Sequence, residues 1–578
     1  LAPLLLILCA MFGFLRPGRR PKTVAAVAEA VGIAAMVISI GSVALLILQG
    51  PQTAVLLPGL SVRLDVVSAV MLCLVSFIGW VVLRYAGTYM DGEARQGMFM
   101  GWMCATLAAV LLLVTAGHLV QLVLAWIATS LALHQLLLFY PDRVQARRAA
   151  HKKLVTSGLS NLVIIVAVVV LWNGFGSGDI ATILEGAQAG AAPNTAVWAA
   201  ALIALAAVLK SAQFPTHGWL TEVMETPTPV SALLHAGVIN AGGFLMIRFA
   251  DVMLASPGVL AVLVMLGGFT AIFGGMVMLT QPAVKTSLAW STVAQMGFMV
   301  MQCGLALFPL ALLHIVAHSL YKAHSFLASG GAVDAVALVR RPGPIAVPSG
   351  AKVGQAFLAA LAIYALMTFG FGQAFGWGAK SPQAIALGAI LIFGVAYLIA
   401  QGLAGAAPKA LTRTTVIYAM AASLGYFALQ AGAEALTAGT LPATPAPGPL
   451  EWALIVLAVL SFGLVAVAQA LFPLWAHHPA SAGLRVHLTN GLYANAVFDR
   501  LLGNWANARH DDPSPRTSRS RQRSPYCGGQ RCGPCDPAAV PTGVKRCGQP
   551  LSGPDRRHPC PDRRAAWPRV GNARDPTA

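Results

Sequence analysis

Long apolar segments recur along almost the whole of this 578-residue chain, and they constrain its fold more than any other feature. Each is roughly 20 residues long, the length that an α-helix needs to cross about 30 Å of hydrocarbon. Only 10% of the residues are charged, whereas soluble globular chains carry about 25%. The sequence therefore predicts an all-α polytopic membrane protein in a lipid bilayer.

The apolar segments predict about 15 transmembrane helices, within a range of 14 to 16, packed in one membrane domain over residues 1–474. Glycine pairs such as Gly267-Gly268 and Gly274-Gly275 would let neighbouring helices approach closely. Because the chain begins with Leu1, either its codon is an alternative start or the true start lies upstream. The predicted spans are 1–15, 23–48, 64–84, 97–116, 119–140, 154–173, 195–214, 230–253, 257–279, 283–306, 308–331, 353–375, 382–403, 414–437 and 450–474.

Basic residues in the predicted loops indicate the orientation of the chain. Loops after odd-numbered spans, counted with the span ends that border them, contain seventeen Lys and Arg residues, Lys152 and Lys153 among them. Those after even-numbered spans, counted in the same way, contain only Arg63, Arg248 and Lys380. Cytoplasmic loops of membrane proteins are enriched in Lys and Arg. This asymmetry predicts an outside N-terminus and a cytoplasmic C-terminus. Basic loops of this kind need no nucleic-acid partner to explain them.

A broken, polar passage over residues 209–248 organises the membrane domain. Lys210 ends an apolar run, and Pro215 and Pro227 then predict that the helix stops. A second helix follows and carries His235 and Asn240 in its first turns. Transporters build ion sites where a charge at a helix break faces a titratable group on another helix. The alternative is a re-entrant loop whose lysine extends to the membrane interface.

A titratable stripe follows one face of the predicted helix 308–331. His314, His318 and Lys322 recur every four residues and fall within about 80° of one another on a helix, with Tyr321 beside them. Imidazoles and buried amines can exchange protons near neutral pH. We therefore predict a proton or cation path along this face. His324 lies off the face, and we expect it to form a hydrogen bond within the bundle.

Three further charged residues are candidate accessory groups. Glu222 and Glu225 flank the break after Lys210, where each can act as a cytoplasmic access point for ions or as a simple loop charge. Lys285 lies at the start of a later span. The membrane domain contains no nucleotide loop, flavin motif or metal-ligand cluster. We therefore expect no redox catalysis, bound metal or cofactor in this chain.

The C-terminal part of the chain has a different composition. Residues 475–508 predict an amphipathic segment at the cytoplasmic face. From residue 509 onward there are fourteen basic and six acidic residues in a context rich in Pro and Gly. We expect residues 509–578 to be a disordered basic tail, or an out-of-frame read of a GC-rich gene, because they cannot bury enough apolar surface to fold alone. Cys532 and Cys535 have CxxC spacing without a second pair, which is weak support for a dithiol or zinc site.

Several long motifs resemble a known membrane-protein family. Residues 60–335 contain KSAQFPTHGWLTEVMETPTPVSALLHAG, VKTSLAWSTVAQMGFM and HIVAHSLYKAHSFLASG, which are similar to the proton-translocating subunits of respiratory complex I and to Mrp-type antiporters. The later phrase HLTNGLYANAVFDRLLG resembles the end of the large antiporter-like subunit. The resemblance implies an antiporter-like bundle with discontinuous helices. It also implies a translocation path lined by Lys210, His235, His314, His318 and Lys322.

Two departures distinguish the chain from complex I subunits. Ile127 follows Trp126 where the family has a glutamate that pairs with the lysine of the broken helix. No lysine occurs in 353–375, and Lys380 lies in a predicted loop. With phrases such as LHQLLLFYPDR, these features resemble the DabB branch, the membrane subunits of two-component inorganic-carbon pumps.

The DabB resemblance implies a transporter subunit that conducts H⁺ or Na⁺ to drive uptake of CO₂ or bicarbonate. It also implies a zinc-containing, carbonic-anhydrase-like partner, DabA. One alternative is a proton-translocating subunit of an NADH:quinone oxidoreductase or of an Mrp-type antiporter. The other is a non-conducting membrane anchor that only assembles a partner.

Overall fold

The structure is a computed structural model that describes residues 1–331, 349–375, 380–402, 409–471 and 478–502, and within them it is almost entirely helical. The predicted tail 509–578, with Cys532 and Cys535, lies outside these ranges. The helices are α1 (Ala2–Leu15), α2 (Lys22–Gln49), α3 (Val66–Tyr89), α4 (Gln96–Val114), α5 (Leu119–Leu137), α6 (Val144–Phe175), α7 (Ile180–Gln188), α8 (Pro193–Lys210), α9 (Gly218–Thr221), α10 (Thr228–Ala236), α11 (Ala241–Arg248), α12 (Ala250–Leu254), α13 (Pro257–Met278), α14 (Val284–Gly304), α15 (Phe308–Leu327), α16 (Gly350–Phe375), α17 (Pro382–Gly402), α18 (Lys409–Thr437), α19 (Pro449–Ala470), α20 (Pro479–Thr489) and α21 (Ala494–Leu501).

A helix lies at every position where the sequence predicts a membrane span. Among the described residues, eleven helices have both the length and the apolar composition needed to cross a membrane. Helix α1 and the segment Pro382–Ala396 of α17 are shorter apolar helices. The helical, multi-pass membrane class is therefore confirmed, whereas the predicted number of about 15 crossings is not.

A β-hairpin between α2 and α3 departs from the all-α prediction. Strands β1 (Gln52–Leu57) and β2 (Leu60–Leu64) pair antiparallel, with Gln52 opposite Leu64. Gly59 takes a φ of +79° in the turn between them, a conformation that glycine adopts without steric cost. The strands have only six and five residues. Such short strand patterns are difficult to recognise in the sequence between two long apolar segments.

Asp65 ties the start of α3 to the end of α11. Its Oδ1 accepts a hydrogen bond from the Ser68 amide at 2.9 Å, which caps α3. Its Oδ2 accepts from Arg248 at 2.5 Å and from Arg63 at 2.8 Å. Burial alone would raise the pKa of Asp65, but Arg248, Arg63 and the Ser68 amide together hold it well below its usual range. Arg248 belongs to the predicted span 230–253, and this ion pair allows α11 to bury it.

Small residues let α13 and α14 pack backbone to backbone, as the glycine pairs predict. A Cβ atom on Gly267 would lie 2.5 Å from the Met301 nitrogen, and one on Gly297 would lie 2.5 Å from the Ala271 nitrogen. Both distances are too short for a side chain, so larger residues would force the helices apart. This contact fixes the position of α14, which contributes to the candidate site.

Two helix breaks shape the centre of the bundle. The break predicted after Lys210 is present: α8 ends there, and α9 and a 3₁₀ turn at Val223–Glu225 lead to α10. The predicted single helix over 230–253 is wrong, because α10 also ends at Ala236. A 3₁₀ turn at Val238–Asn240 then leads to α11 and α12. The intervening Gly237 leaves no room for a side chain, since a Cβ there would lie 2.8 Å from the Leu233 carbonyl oxygen.

Candidate functional site

Lys210, the last residue of α8, is buried against α5. Its Nζ donates a hydrogen bond to Ser130 Oγ at 2.5 Å and lies 4.6 Å from the centroid of the Trp126 ring. On the other side of Ser130, Lys153 of α6 donates to the Ser130 carbonyl oxygen. Two buried lysines from different helices therefore converge on one serine of α5.

The prediction that Lys152 and Lys153 lie in a loop is wrong. Helix α6 begins at Val144, and the side chain of Lys152 is fully buried within it. Its Nζ contacts Glu222 Oε1 at 2.6 Å and Asp499 Oδ1 at 2.7 Å. The basic run that contains these lysines resembles a loop in sequence. Carboxylates from two distant segments make burial of Lys152 possible.

The C-terminal helix α21 supplies part of this ion-pair network. The carboxylate of Asp499 pairs with Arg148 as well as with Lys152. Asn495 of the same helix donates to Glu222 Oε1 at 2.6 Å. Glu222 therefore anchors a helix of the predicted amphipathic segment. The side chain of Glu225 lies outside the part of the chain that the structure describes.

We expect Asp499→Asn to lower the free energy of unfolding by about 3 kcal/mol, because it leaves a buried cation with one carboxylate fewer. Thermal unfolding in detergent measures the loss of stability. Tryptic cleavage after the exposed Arg500 measures release of α21. The exposed carboxylate of Asp142 provides a matched control, and Asp142→Asn should change stability by no more than about 0.5 kcal/mol. Equal stability of the two variants would contradict the anchoring role.

A stop codon in place of Arg509 should preserve both stability and transport, because the truncated chain retains Asp499 and its two basic partners. A stop codon in place of Ala494 should reduce stability as Asp499→Asn does. Comparing membrane expression levels and thermal unfolding of the two truncated proteins tests this. Loss of function or partner binding on truncation at 509 would contradict the disordered-tail prediction.

A second polar cluster lies where α10, α14 and α15 meet. His235 Nδ1 lies 3.0 Å from Thr292 Oγ1, and His318 Nε2 lies 3.1 Å from the His235 carbonyl oxygen. Lys322 Nζ donates to the Leu288 carbonyl oxygen at 3.0 Å, and the Thr292 hydroxyl donates to the same oxygen at 3.0 Å. The Leu288 carbonyl oxygen therefore connects Lys322 to Thr292 and the His235 ring, while the main chain of His235 contacts His318.

The predicted stripe on α15 lies along this cluster. The imidazole rings of His314 and His318 are 5.9 Å apart, and the side chains of His318 and Lys322 are buried. His235 Nε2, His314 Nε2 and His318 Nδ1 have no hydrogen-bond partner among the described residues. These nitrogens are therefore free to bond to water, which a proton path would require.

Tyr321 and His324 lie apart from the cluster. Tyr321 is 57% exposed, although its ring centroid is 5.5 Å from Lys322 Nζ. His324 is also exposed, so its expected hydrogen bond within the bundle is not confirmed. Lys285 is nearer the cluster, and its Nζ donates to Thr228 Oγ1 at 2.9 Å, which links the starts of α14 and α10.

The structure does not pair Lys210 with His235 as the sequence predicts. The described contacts of Lys210 lead to α5, whereas those of His235 lead to α14 and α15. The helix break between α10 and α11 separates the two clusters. Val238 in this break lines a small cavity beside Lys210 and another beside Asn240.

Lys380, which lies in a predicted loop, belongs to a third polar group. It precedes α17, where its Nζ lies 3.1 Å from Gln430 Oε1 and 4.1 Å from the centroid of the Phe427 ring. Gln430 in turn donates to Glu434 Oε1 at 2.9 Å. Lys380 therefore contacts side chains of the C-terminal helices, although it lies outside 353–375, the span in which the resemblance to complex I subunits implies a lysine.

Comparison with known proteins identifies relatives of this chain. Residues 116–340 match the family described as "NADH:quinone oxidoreductase/Mrp antiporter, TM". Residues 56–100 match "NADH-Ubiquinone oxidoreductase (complex I), chain 5 N-terminus". The probable inorganic carbon transporter subunit DabB2 of Halothiobacillus neapolitanus is 38% identical over 454 residues, which cover 76% of this chain and 80% of that protein. The chain belongs to the DabB family.

A second DabB relative and a solved structure extend this result. The probable inorganic carbon transporter subunit DabB of Hydrogenovibrio crunogenus is 44% identical over 284 residues, which cover 49% of this chain and 55% of that protein. A chain in the structure of an Mrp complex from Dietzia sp. DQ12-45-1b matches with a TM-score of 0.57 and 23% identity, over 90% of this chain and 60% of that one. At this identity the match shows a shared antiporter-like fold.

Sequence reasoning found Lys210, His235, His318 and Lys322 because titratable side chains are rare in these apolar segments. It missed Ser130, Thr292 and the carbonyl oxygens that accept hydrogen bonds from the buried lysines, because uncharged groups have no comparable signal in a single sequence. Lys153 was missed for another reason, since its basic neighbours resemble a loop. The position of Ser130, four residues after Trp126 on a predicted helix, was the available clue to its place beside Lys210.

Proposed function

We propose that this chain is the ion-conducting membrane subunit of an energy-coupled transporter for CO₂ or bicarbonate. The observation that carries the ion-conducting role is the buried set of contacts joining Lys322, Thr292, His235 and His318. Burying so many titratable groups has no evident structural benefit, and in membrane proteins such groups mark ion or proton pathways. The inorganic-carbon substrate is proposed from the names of the DabB relatives.

The proposed transporter has a second subunit. A DabA-like, zinc-containing partner would convert CO₂ and bicarbonate, while the present chain would conduct H⁺ or Na⁺ and perform no catalysis itself. We propose a bacterial inner membrane as its location, with the N-terminus outside and the C-terminus in the cytoplasm. Helix α21 would then anchor the C-terminal segment at the cytoplasmic face, where a peripheral partner can bind.

Uptake of radiolabelled inorganic carbon tests this function. Cells that express the chain together with the product of its neighbouring gene should accumulate label, and a protonophore or removal of Na⁺ should identify the coupling ion. Cells that express either protein alone should not accumulate it. Metal analysis of the copurified complex should find zinc. Uptake that is unchanged when both ion gradients are collapsed would contradict energy coupling.

The second candidate is a proton-translocating subunit of an NADH:quinone oxidoreductase or of an Mrp-type antiporter. The match of residues 116–340 to the family shared by these complexes favours it. The environment of Lys210 argues against it, because Lys210 bonds to Ser130 and Ile127 occupies the position of the expected glutamate. Copurification with NADH-oxidising or Mrp subunits would support this second function.

A non-conducting anchor is the third candidate. Isolated buried cations destabilise a protein unless they are paired or functional. An anchor that only held a partner would be expected to replace Lys153, Lys210 and Lys322 with apolar residues. Ion flux in reconstituted vesicles distinguishes the two, since an anchor would conduct nothing.

A further inference from the structure

Lys153 and Lys210 bury two amines beside each other, and no carboxylate among the described side chains pairs with either. The ion pairs described for this part of the chain include Lys152, Glu222 and Asp499, but neither Lys153 nor Lys210. Both lysines are less than a tenth exposed. They also line the same small, mainly apolar cavity with Ser157 and Trp219. The two amines therefore share one environment.

This environment cannot hold two positive charges at low free energy. A buried ammonium loses most of its hydration, and a like charge nearby adds repulsion. The first amine to become protonated therefore opposes protonation of the second. A site of this kind holds one excess proton, on either Lys153 or Lys210.

Charged and titratable groups lie near the lysine pair on helices α5 and α6. Helix α5 contributes His134, which lies within the electrostatic influence of Lys153, and Trp126, whose ring faces Lys210. On α6, the adjacent Lys152 has its own carboxylate partners. The described neighbours of the lysine pair thus supply like charge and uncharged acceptors, whereas the carboxylates contact Lys152.

We propose that Lys153 and Lys210 form a two-lysine proton-exchange site, held together by Ser130, in which protonation of one amine releases the proton of the other. In one direction, neutral Lys153 takes up a proton, and the Lys210 ammonium gives its own proton to a water molecule toward the helix break. One N–H bond forms on Lys153, and one N–H bond breaks on Lys210. Lys153 thus replaces the missing glutamate with a group of the opposite charge.

The proposal rests on the proposed ion-conducting function and identifies Lys153 as a further residue of its path. In the family pattern, a glutamate would stabilise the protonated form of Lys210. Here, arrival of a proton at Lys153 expels the proton from Lys210 by repulsion. Exchange within the pair would therefore control when Lys210 releases its proton toward the helix break.

Two substitutions at Lys153 distinguish proton exchange from a structural role. The full chain, purified with its partner, is reconstituted in vesicles, and ion flux is measured across a range of pH. Lys153→Met removes the repelling charge, so Lys210 should release its proton only at higher pH. We expect flux at neutral pH to fall at least tenfold and the pH optimum to move upward by about one unit or more.

Lys153→Arg should have the opposite effect on the pH profile. Arginine stays protonated, so its fixed charge would keep Lys210 neutral except at low pH. Flux should again fall at neutral pH, but the optimum should move downward. Opposite displacements of the optimum support the proposal. Wild-type flux in either variant, or an equal fractional loss at every pH, would overturn it.

Ser130→Ala is the second test if a Lys153 variant fails to fold. It retains both lysines and removes the hydroxyl that holds the Lys210 amine, so flux should fall at least tenfold. Flux at the wild-type level in Ser130→Ala would overturn the role of Ser130 in holding the two amines together. Absence of flux in the wild-type vesicles would refute the proposed function itself, and the exchange site with it. If the wild-type vesicles conduct ions and the Lys153 variants conduct them equally well, only the exchange site is refuted.

Discussion

Replacing Lys210 with methionine should abolish coupled ion movement and carbon uptake, while the protein still inserts and accumulates at the wild-type level. Methionine retains much of the side-chain length but has no group that binds a proton. The substitution removes a buried ammonium without a counter-ion, so it should not destabilise the bundle. Ion flux in vesicles and uptake of labelled carbon in cells measure the effect.

Lys352→Met is the control for this experiment. Lys352 is a partly buried lysine of α16 that belongs to neither polar cluster. Its replacement should leave flux within about twofold of the wild type, since most surface substitutions have small effects. A well-expressed Lys210→Met protein that transports normally would contradict a role for Lys210 in the path.

Replacing His318 with alanine should reduce transport severely. The change leaves a gap of about 12 Å, two helical turns, between His314 and Lys322, which is too long for direct proton transfer. It also removes the group that contacts the His235 carbonyl oxygen. Partner-dependent carbon uptake and ion flux in reconstituted vesicles are the measurements.

His324→Ala provides the matched comparison for His318→Ala. Both substitutions remove one imidazole from α15, but His324 is exposed and His318 is buried. His324→Ala should therefore have a mild effect. To separate packing from conduction, His318→Phe fills the same volume and should remain inactive. Equal defects at positions 318 and 324 would mean that the four-residue spacing reflects packing alone.

Much of the fold could be predicted from the sequence because lipid imposes simple rules. A spanning segment must be long, apolar and helical, and each departure from that pattern is visible. Lys210, Pro215 and Pro227 mark the first helix break in this way. The second break, after Ala236, was hidden because a lone glycine within an apolar segment is also compatible with a continuous helix.

The site could be predicted only in part because its contacts join residues far apart in the chain. The position of Lys210 is evident in the sequence, but its bond to Ser130 depends on how α5 packs against α8. The same is true of Lys152, whose burial depends on Asp499 at the far end of the chain. The sequence identifies charged groups, whereas their partners are determined by tertiary packing.

Two contacts in the second cluster use main-chain oxygens, and this limits what conventional mutagenesis can reveal about conduction. The carbonyl groups of Leu288 and His235 accept from Lys322 and contact His318, respectively. Replacing the Leu288 side chain leaves its carbonyl oxygen in place, so an alanine scan would report position 288 as silent. Amide-to-ester substitution, which weakens a carbonyl acceptor without changing the side chain, would detect these contributions. The proposed translocation path thus includes groups that remain present whichever amino acid occupies the position.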